Sequence, residues 1–431
     1  FWGWFLVPPA SFSPGGPGGG GFSPLGGGGG GGGGLLSLVG WGVLWDSRPL
    51  DIYLGEAYGF VALFALPHAA VARACMLWAM MRLARFIGRE EERTWISPGD
   101  PQNAVIVGLL WLVMTLCVPF YIVVAAAVAA VWGVIRAMRM RATPRRLLLW
   151  GGLAGAPGSA VIVANLLMMG DDPVYAAWNA QNLLPRPHAL HFVLAYGFPL
   201  GLAVIGLQLA WRARYPLTGL ATAWLIAAPL LMFAPVNVQV RLIEGVHVPL
   251  WGLTALGLDQ LLTRLAGRAI LRRAVGAAFL VVSLLSTIFL VIGGAALPLG
   301  GYSYVFTSYD EVGALEWLNA HSPFEAVLLA SEPVGVYAPA RAGVRVVLGH
   351  GFETPDYLGR QAEVAAFYAG DMTDLERAGL LERYAVRYVY LGPDERALAC
   401  EAAFCDPFDP AALGLVMVYA QGDVTLYEVG P

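Results

Sequence analysis

Apolar residues fall in long unbroken runs at 35–45, 57–81, 104–135, 147–169, 191–211, 217–234, 246–262 and 275–297. A helix crossing the hydrocarbon core of a bilayer needs roughly 20 residues. The 35–45 run is too short alone and reads as the end of a helix. The others reach or approach spanning length. The pattern predicts an α-helical polytopic membrane domain over residues 35–297, with about 8–9 apolar helices. The run at 104–135 stands apart: as one helix its 32 residues would measure about 48 Å, too long for an ordinary span. Pro119 sits near its middle. A re-entrant hairpin of two short helices accounts for the length; a single steeply tilted helix is the other reading.

After Pro298 the pattern changes. Ser308-Tyr309-Asp310-Glu311 has the form of a capping box opening a helix through Trp317 and Leu318. Short β-rich runs follow at Ala326–Ala330, Val344–Leu348 and Val386–Leu391, with helical stretches near 357–369 and 373–384. Leu415–Ala420 and Val424–Val429 flank a hairpin signal at Gln421-Gly422-Asp423. Strands alternating with helices predict a small α/β domain over residues 298–431.

Composition sharpens this division. Of the 431 residues, 58% are hydrophobic and only 13% charged, about half the usual charged share; mean hydropathy is +0.63. All 26 basic residues are Arg. A net charge of -4 excludes the strongly basic footprint of a nucleic-acid binder. From Pro298 onward there are 19 acidic residues and 7 Arg; before it there are 11 acidic residues and 19 Arg. The loops 82–103, 136–146, 212–216 and 263–274 hold 15 Arg, against 3 in 46–56, 170–190 and 235–245. By the positive-inside rule the first set faces the cytoplasm, which places the second set and the α/β domain outside. Both flanks of 104–135 belong to the Arg-rich set, as a hairpin requires. Residues 1–34 contain 16 Gly and no charge, so they read as a linker or foreign segment, and the native N-terminus is expected to lie elsewhere. Cys75 and Cys117 lie in apolar runs as buried thiols, whereas Cys400 and Cys405 are spaced for a disulfide or two free thiols.

The polar residues that interrupt this pattern cluster on the outer face. Asp46, Asp51 and Glu56 precede the 57–81 run. Asp171 and Asp172 open the loop that continues through Trp178, Gln181, Asn182, Arg186 and His188. A paired carboxylate there can position an acceptor or a cation, or simply cap a helix. The stretch Gln239-x-Arg241-x-x-Glu244-Gly-x-His247 puts amide, cation, carboxylate and imidazole at the start of an apolar helix. Ionisable groups at membrane depth are costly and tend to be functional. Arg241 is suited to clamping a phosphate through two parallel hydrogen bonds; a helix-spaced ion pair with Glu244 is the plain alternative. In the α/β domain, His350 and Glu353 follow a strand, a common place for a site. His68 reads as a hydrogen-bonded core residue. Apart from Asp259 near a helix end, the spans read as poor in mid-membrane charge, which argues against a transporter. No triad elbow, zinc motif, Walker sequence or dinucleotide fingerprint is present.

The ordered set Asp172-Pro173 through Trp178 and Gln181-Asn182, Gln239 through His247, Ala314-Leu-Glu-Trp-Leu318, Gly349-His350 through Glu353-Thr354, and Tyr388 through Arg396 resembles the GT-C superfamily of polytopic membrane glycosyltransferases, especially a bacterial branch related to protein mannosyltransferases. The resemblance covers roughly 50–430 of the chain. It implies transfer of a sugar, mannose-type, from a polyprenyl-phosphate donor to a lipid, glycan or protein hydroxyl on the outer face of the inner membrane. It also implies an extracytoplasmic α/β domain and a general-base Asp in the first outer loop. Residues 1–45 hold no acid, a departure that leaves Asp51 and Asp46, then Asp171 and Asp172, as catalytic candidates. Arg241, Gln239, His247 and Glu244 would bind the donor phosphate, and His350 and Glu353 would form a site in the α/β domain. No cofactor is required beyond that donor; a divalent metal and a homodimer are compatible. The competing reading is a non-catalytic protein of the same fold that holds an isoprenoid or carotenoid as a scaffold.

Overall fold

The computed structural model describes residues 66–88, 99–141, 143–170, 172–181, 189–215, 217–234, 239–296, 299, 306–351, 353–401 and 408–430. The Gly-rich segment and the 35–45 run lie outside these residues. The chain divides into two compact units, one running to Asp172 and from Leu183 to Gly294, the other made of Pro173–Asn182 and Ala295–Pro431.

The first unit is helical. Helices α1 (Pro67–Gly88), α2 (Asp100–Cys117) and α3 (Tyr121–Met140) are followed by a π turn at Leu147–Gly151 and α4 (Gly152–Gly170). After α5 (Pro173–Gln181), which belongs to the second unit, come α6 (Ala189–Ala213), α7 (Thr218–Met232), a 3-10 turn at Gln239–Ile243, α8 (His247–Arg264) and α9 (Ala269–Ala296). Among the described residues three helical stretches are long and apolar enough to cross a membrane: Asp100–Cys117, Tyr121–Met140 and Leu147–Gly170. Thr218–Met232 is a shorter apolar helix. Of the 8–9 apolar helices predicted above, these are the ones among the described residues that meet both length and apolarity for a span.

The 104–135 run is a hairpin. Val118, preceding Pro119, is extended at φ -143° and ψ 95°, as the proline ring demands of the residue before it. The turn closes with Tyr121 N–H donating to Val118 O at 3.1 Å. The two arms have 18 and 20 residues, so each is of spanning length rather than a re-entrant half-helix. Its flanks meet again: buried Arg146 donates to both oxygens of Asp100 at 2.6 and 2.8 Å, and to Phe86 O at the end of α1. Close to that end, the Arg139 guanidinium lies 3.6 Å from the Trp211 ring centroid. Residues in or beside three of the Arg-rich segments, 82–103, 136–146 and 212–216, thus meet. Elsewhere α6 and α8 touch through their backbones. A Cβ on Gly206 would lie 1.8 Å from Leu253 O, and one on Gly257 2.0 Å from Leu202 O. Small residues permit this contact between membrane helices. Thr254 Oγ1 adds a hydrogen bond to Pro199 O at 2.9 Å.

The second unit holds a five-stranded sheet of order β2-β1-β3-β5-β4, with β1 Val327–Leu329, β2 Arg345–Val346, β3 Val386–Leu391, β4 Leu415–Gln421 and β5 Val424–Val429. β1 runs parallel to both β2 and β3, whereas β5 is antiparallel to β3 and β4. Helices α10 (Tyr309–His321) and α11 (Glu332–Ala342) bury Leu315, Leu318, Val334 and Ala338 on one face. Helices α12 (Tyr357–Ala369) and α13 (Asp374–Arg383) bury Phe367, Tyr368 and Leu380 on the other. α14 (Pro393–Glu401) packs beside α12. Capping boxes at Ser308 with Glu311 and at Thr373 with Glu376 start α10 and α13.

Candidate functional site

The stretch singled out at 239–247 folds as a compact polar wedge. Gln239–Ile243 make one 3-10 turn, residues 244–246 a second turn, and His247 begins α8. Gln239, Val240, Leu242, Ile243 and Glu244 are buried, whereas Arg241 is half-buried. Gly245 permits the reversal: its φ is +74°, and a Cβ there would lie 2.7 Å from the Trp224 ring and 2.9 Å from the Met76 methyl. Trp224 Nε1 donates to Glu244 O at 3.1 Å and fixes the same turn from α7.

Glu244 is held from α1 and α3. Arg73 Nε donates to its Oε1, and Arg73 Nη2 donates to its Oε2 at 2.9 Å. Tyr121 O–H, at the first residue of α3, donates to Oε2 at 2.6 Å. The side chains of Arg73 and Glu244 are 5% and 0% exposed. Buried Tyr196 on α6 lies within electrostatic reach of both charges, and His247 within reach of Arg73. An ion pair out of water is tolerable only when geometry and further hydrogen bonds are good, and this one has both. Both carboxylate oxygens of Glu244 accept hydrogen bonds in this network. Half-buried His247 has its Nδ1 enclosed without a hydrogen-bond partner. A sealed imidazole nitrogen is costly unless something outside the protein supplies the bond.

The other predicted residues are dispersed. Asp46, Asp51 and Asp171 lie outside the described residues. Asp172 is half-buried just before α5, with Pro173 as first helical residue, where its missing N–H costs nothing. His68 is half-buried near the start of α1, not in the core. Cys405 and the side chain of Cys400 lie outside the described residues. Among the described residues no group of three or more His, Cys, Asp and Glu is placed to hold a metal ion.

In the second unit, His350 and Glu353 lie in a turn after β2. Glu353 and Thr354 N–H both donate to His350 O at 2.9 Å, and Gly349 N–H donates to Thr354 Oγ1 at 3.1 Å. Burial lowers the His350 pKa, opposed by Glu353. The helices that follow adjacent β1 and β3 leave to opposite faces of the sheet, which creates the crevice where open α/β sheets commonly take ligands. Here the chain fills that crevice itself. The Glu395 carboxylate, 0% exposed, accepts from Ser331 N at 2.7 Å and Gly392 N at 3.0 Å. Burial raises its pKa against these hydrogen bonds.

No protein-family model matches the chain, and no curated protein matches it. The chain is similar to solved structures of an archaeal oligosaccharyltransferase. The Archaeoglobus fulgidus enzyme in the apo form is 14% identical with a TM-score of 0.40, over 84% of this chain and 56% of that one. The same enzyme tethered to an acceptor peptide containing the NVT sequon is 15% identical, TM-score 0.39, over 93% and 62%. AglB of that organism, in complex with an inhibitory peptide and a dolichol-phosphate, is 14% identical, TM-score 0.38, over 89% and 58%. The chain spans about three fifths of the length of these proteins.

Sequence reasoning found the 239–247 wedge but missed Arg73, Tyr121, Tyr196 and Trp224. For Arg73 a signal existed: a cation within the 57–81 run, contrary to the expectation that the spans lack mid-membrane charge. For the aromatic residues none existed, because a Tyr or Trp in an apolar run is ordinary.

Proposed function

We propose that this protein is a membrane glycosyltransferase of GT-C type, which moves a sugar from a polyprenyl-phosphate donor to a hydroxyl on the outer face of the membrane. The observation that carries the reading is the wedge at 239–247. There an apolar helical unit carries a half-buried guanidinium, Arg241, six residues before His247, whose Nδ1 is enclosed without a hydrogen-bond partner. A lipid phosphate has the chemistry to accept hydrogen bonds from a guanidinium and an imidazole, and its prenyl chain suits the apolar helices around them. Dolichol-phosphate, the lipid named for one of the similar structures, is a ligand of this kind. Gln239 would add an amide. A carboxylate, with Asp51, Asp46, Asp171 and Asp172 as candidates, would take the proton from the acceptor hydroxyl as it attacks the sugar. The sugar's bond to phosphate would break as the new glycosidic bond forms.

Arg241→Ala tests the clamp. Removing a charge-assisted, bidentate contact typically costs about 10- to 100-fold in affinity. The variant should keep the wild-type melting temperature while binding undecaprenyl phosphate at least about 10-fold more weakly. Undiminished binding would remove Arg241 from the site.

A further inference from the structure

We infer that Arg73, Tyr121 and Glu244 are positioning residues: their buried network holds the 239–247 wedge in its ligand-binding shape and touches no ligand itself. This deepens the donor-phosphate reading and rests on it for the identity of the ligand. The observations come from four separate elements. Arg73 on α1, Tyr121 on α3 and Trp224 on α7 converge on Glu244, which stands midway between Arg241 and His247 in sequence. The wedge is one short 3-10 turn followed by a second turn, joined by Glu244 N–H donating to Arg241 O at 3.3 Å and Val246 N–H donating to Ile243 O at 3.2 Å. Such a segment keeps its shape only if side chains impose it. The ion pair also cancels its own charge. The buried carboxylate is thereby matched by a buried guanidinium, as a charge out of water requires. Glu244 is thereby reassigned from ligand contact to support.

Glu244→Gln keeps the shape and removes the charge. In the full-length protein, amide hydrogen exchange over residues 239–246 should rise at least about 10-fold, while α2 and α3 stay as protected as in wild type. Binding of undecaprenyl phosphate should fall at least about 10-fold, and adding Arg241→Ala to that variant should cost almost nothing more, because Arg241 acts only when positioned. A residue that merely stabilised the bundle would loosen α2 and α3 too, and its loss would multiply with that of Arg241. Either of those results, or unchanged exchange in the wedge, overturns the inference. Should Glu244→Gln fail to fold, Tyr121→Phe removes a single hydroxyl and is read by the same three measurements, with a smaller effect. If the wild-type protein does not bind undecaprenyl phosphate, the donor reading falls, and the exchange result alone decides whether the network positions the wedge.

Discussion

Glu395 shows how a single side chain sets the pH behaviour of the α/β unit. It is a buried carboxylate with two backbone donors, Ser331 N and Gly392 N. Burial raises its pKa above the ordinary value of 4.5. The folded state therefore holds this proton more tightly than the unfolded chain. Its contribution to stability is full below the unfolded pKa and is lost as pH rises through the folded one. The slope cannot exceed about 1.4 kcal/mol per pH unit for one proton. Exchange-derived stabilities of β1 and β3 in wild type and Glu395→Gln should thus diverge with pH, wild type losing ground toward neutrality; parallel profiles would exclude Glu395 as the titrating group. At this scale the sequence was half legible. The polar wedge from Gln239 to His247 was visible because ionisable residues broke an apolar pattern. Its counter-ion Arg73 lies 171 residues from Glu244, and no local pattern encodes so distant a pairing.

Among elements, the α2–α3 hairpin is the clearest case of partial legibility. Pro119 marked the break. The lengths of the arms did not follow from the apolar run, because both helices continue past it: α2 begins at Asp100 and α3 reaches Met140. Polar helix ends were counted as loop, and two spanning arms were read as two half-helices. Asp100 and Arg146 join those polar ends. Removing one partner of a buried pair leaves an uncompensated charge, worth about 3–5 kcal/mol. Asp100→Ala should therefore lower the melting temperature strongly, whereas Asp100→Ala with Arg146→Met should recover most of the loss. Equal melting temperatures for the two variants would mean that water already reaches Arg146. In the α/β unit the Ser308 capping box and the Gly422 turn made α10 and the β4–β5 hairpin readable. Helix α11 was passed over, although Glu332-Pro333 at its start and Gly343 at φ +62° at its end signal it.

For the whole molecule, charge distribution and structure bear on the same question from different sides. Three of the Arg-rich segments meet in the helical unit, through Arg146 with Asp100 and Phe86 O, and through Arg139 on Trp211. We propose that their meeting point faces the cytoplasm and that the acidic α/β unit lies outside. Alkaline phosphatase fused after residue 430 should be active in bacterial cells, while fusion after Arg141 should be inactive. The reverse pattern would invert the orientation and move the donor site with it.

The Arg73–Glu244 pair also has a consequence for how the protein is made. Arg73 leaves the ribosome 171 residues ahead of its counter-ion, a delay on the order of ten seconds or more at 5–20 residues per second. Throughout that interval Arg73 stands without the Glu244 half of this pair. The contact between α1 and the 239–247 wedge can therefore form only after the segment that follows α7 has been made. The ion pair thus acts as a late latch that closes the bundle only after α7 has been delivered.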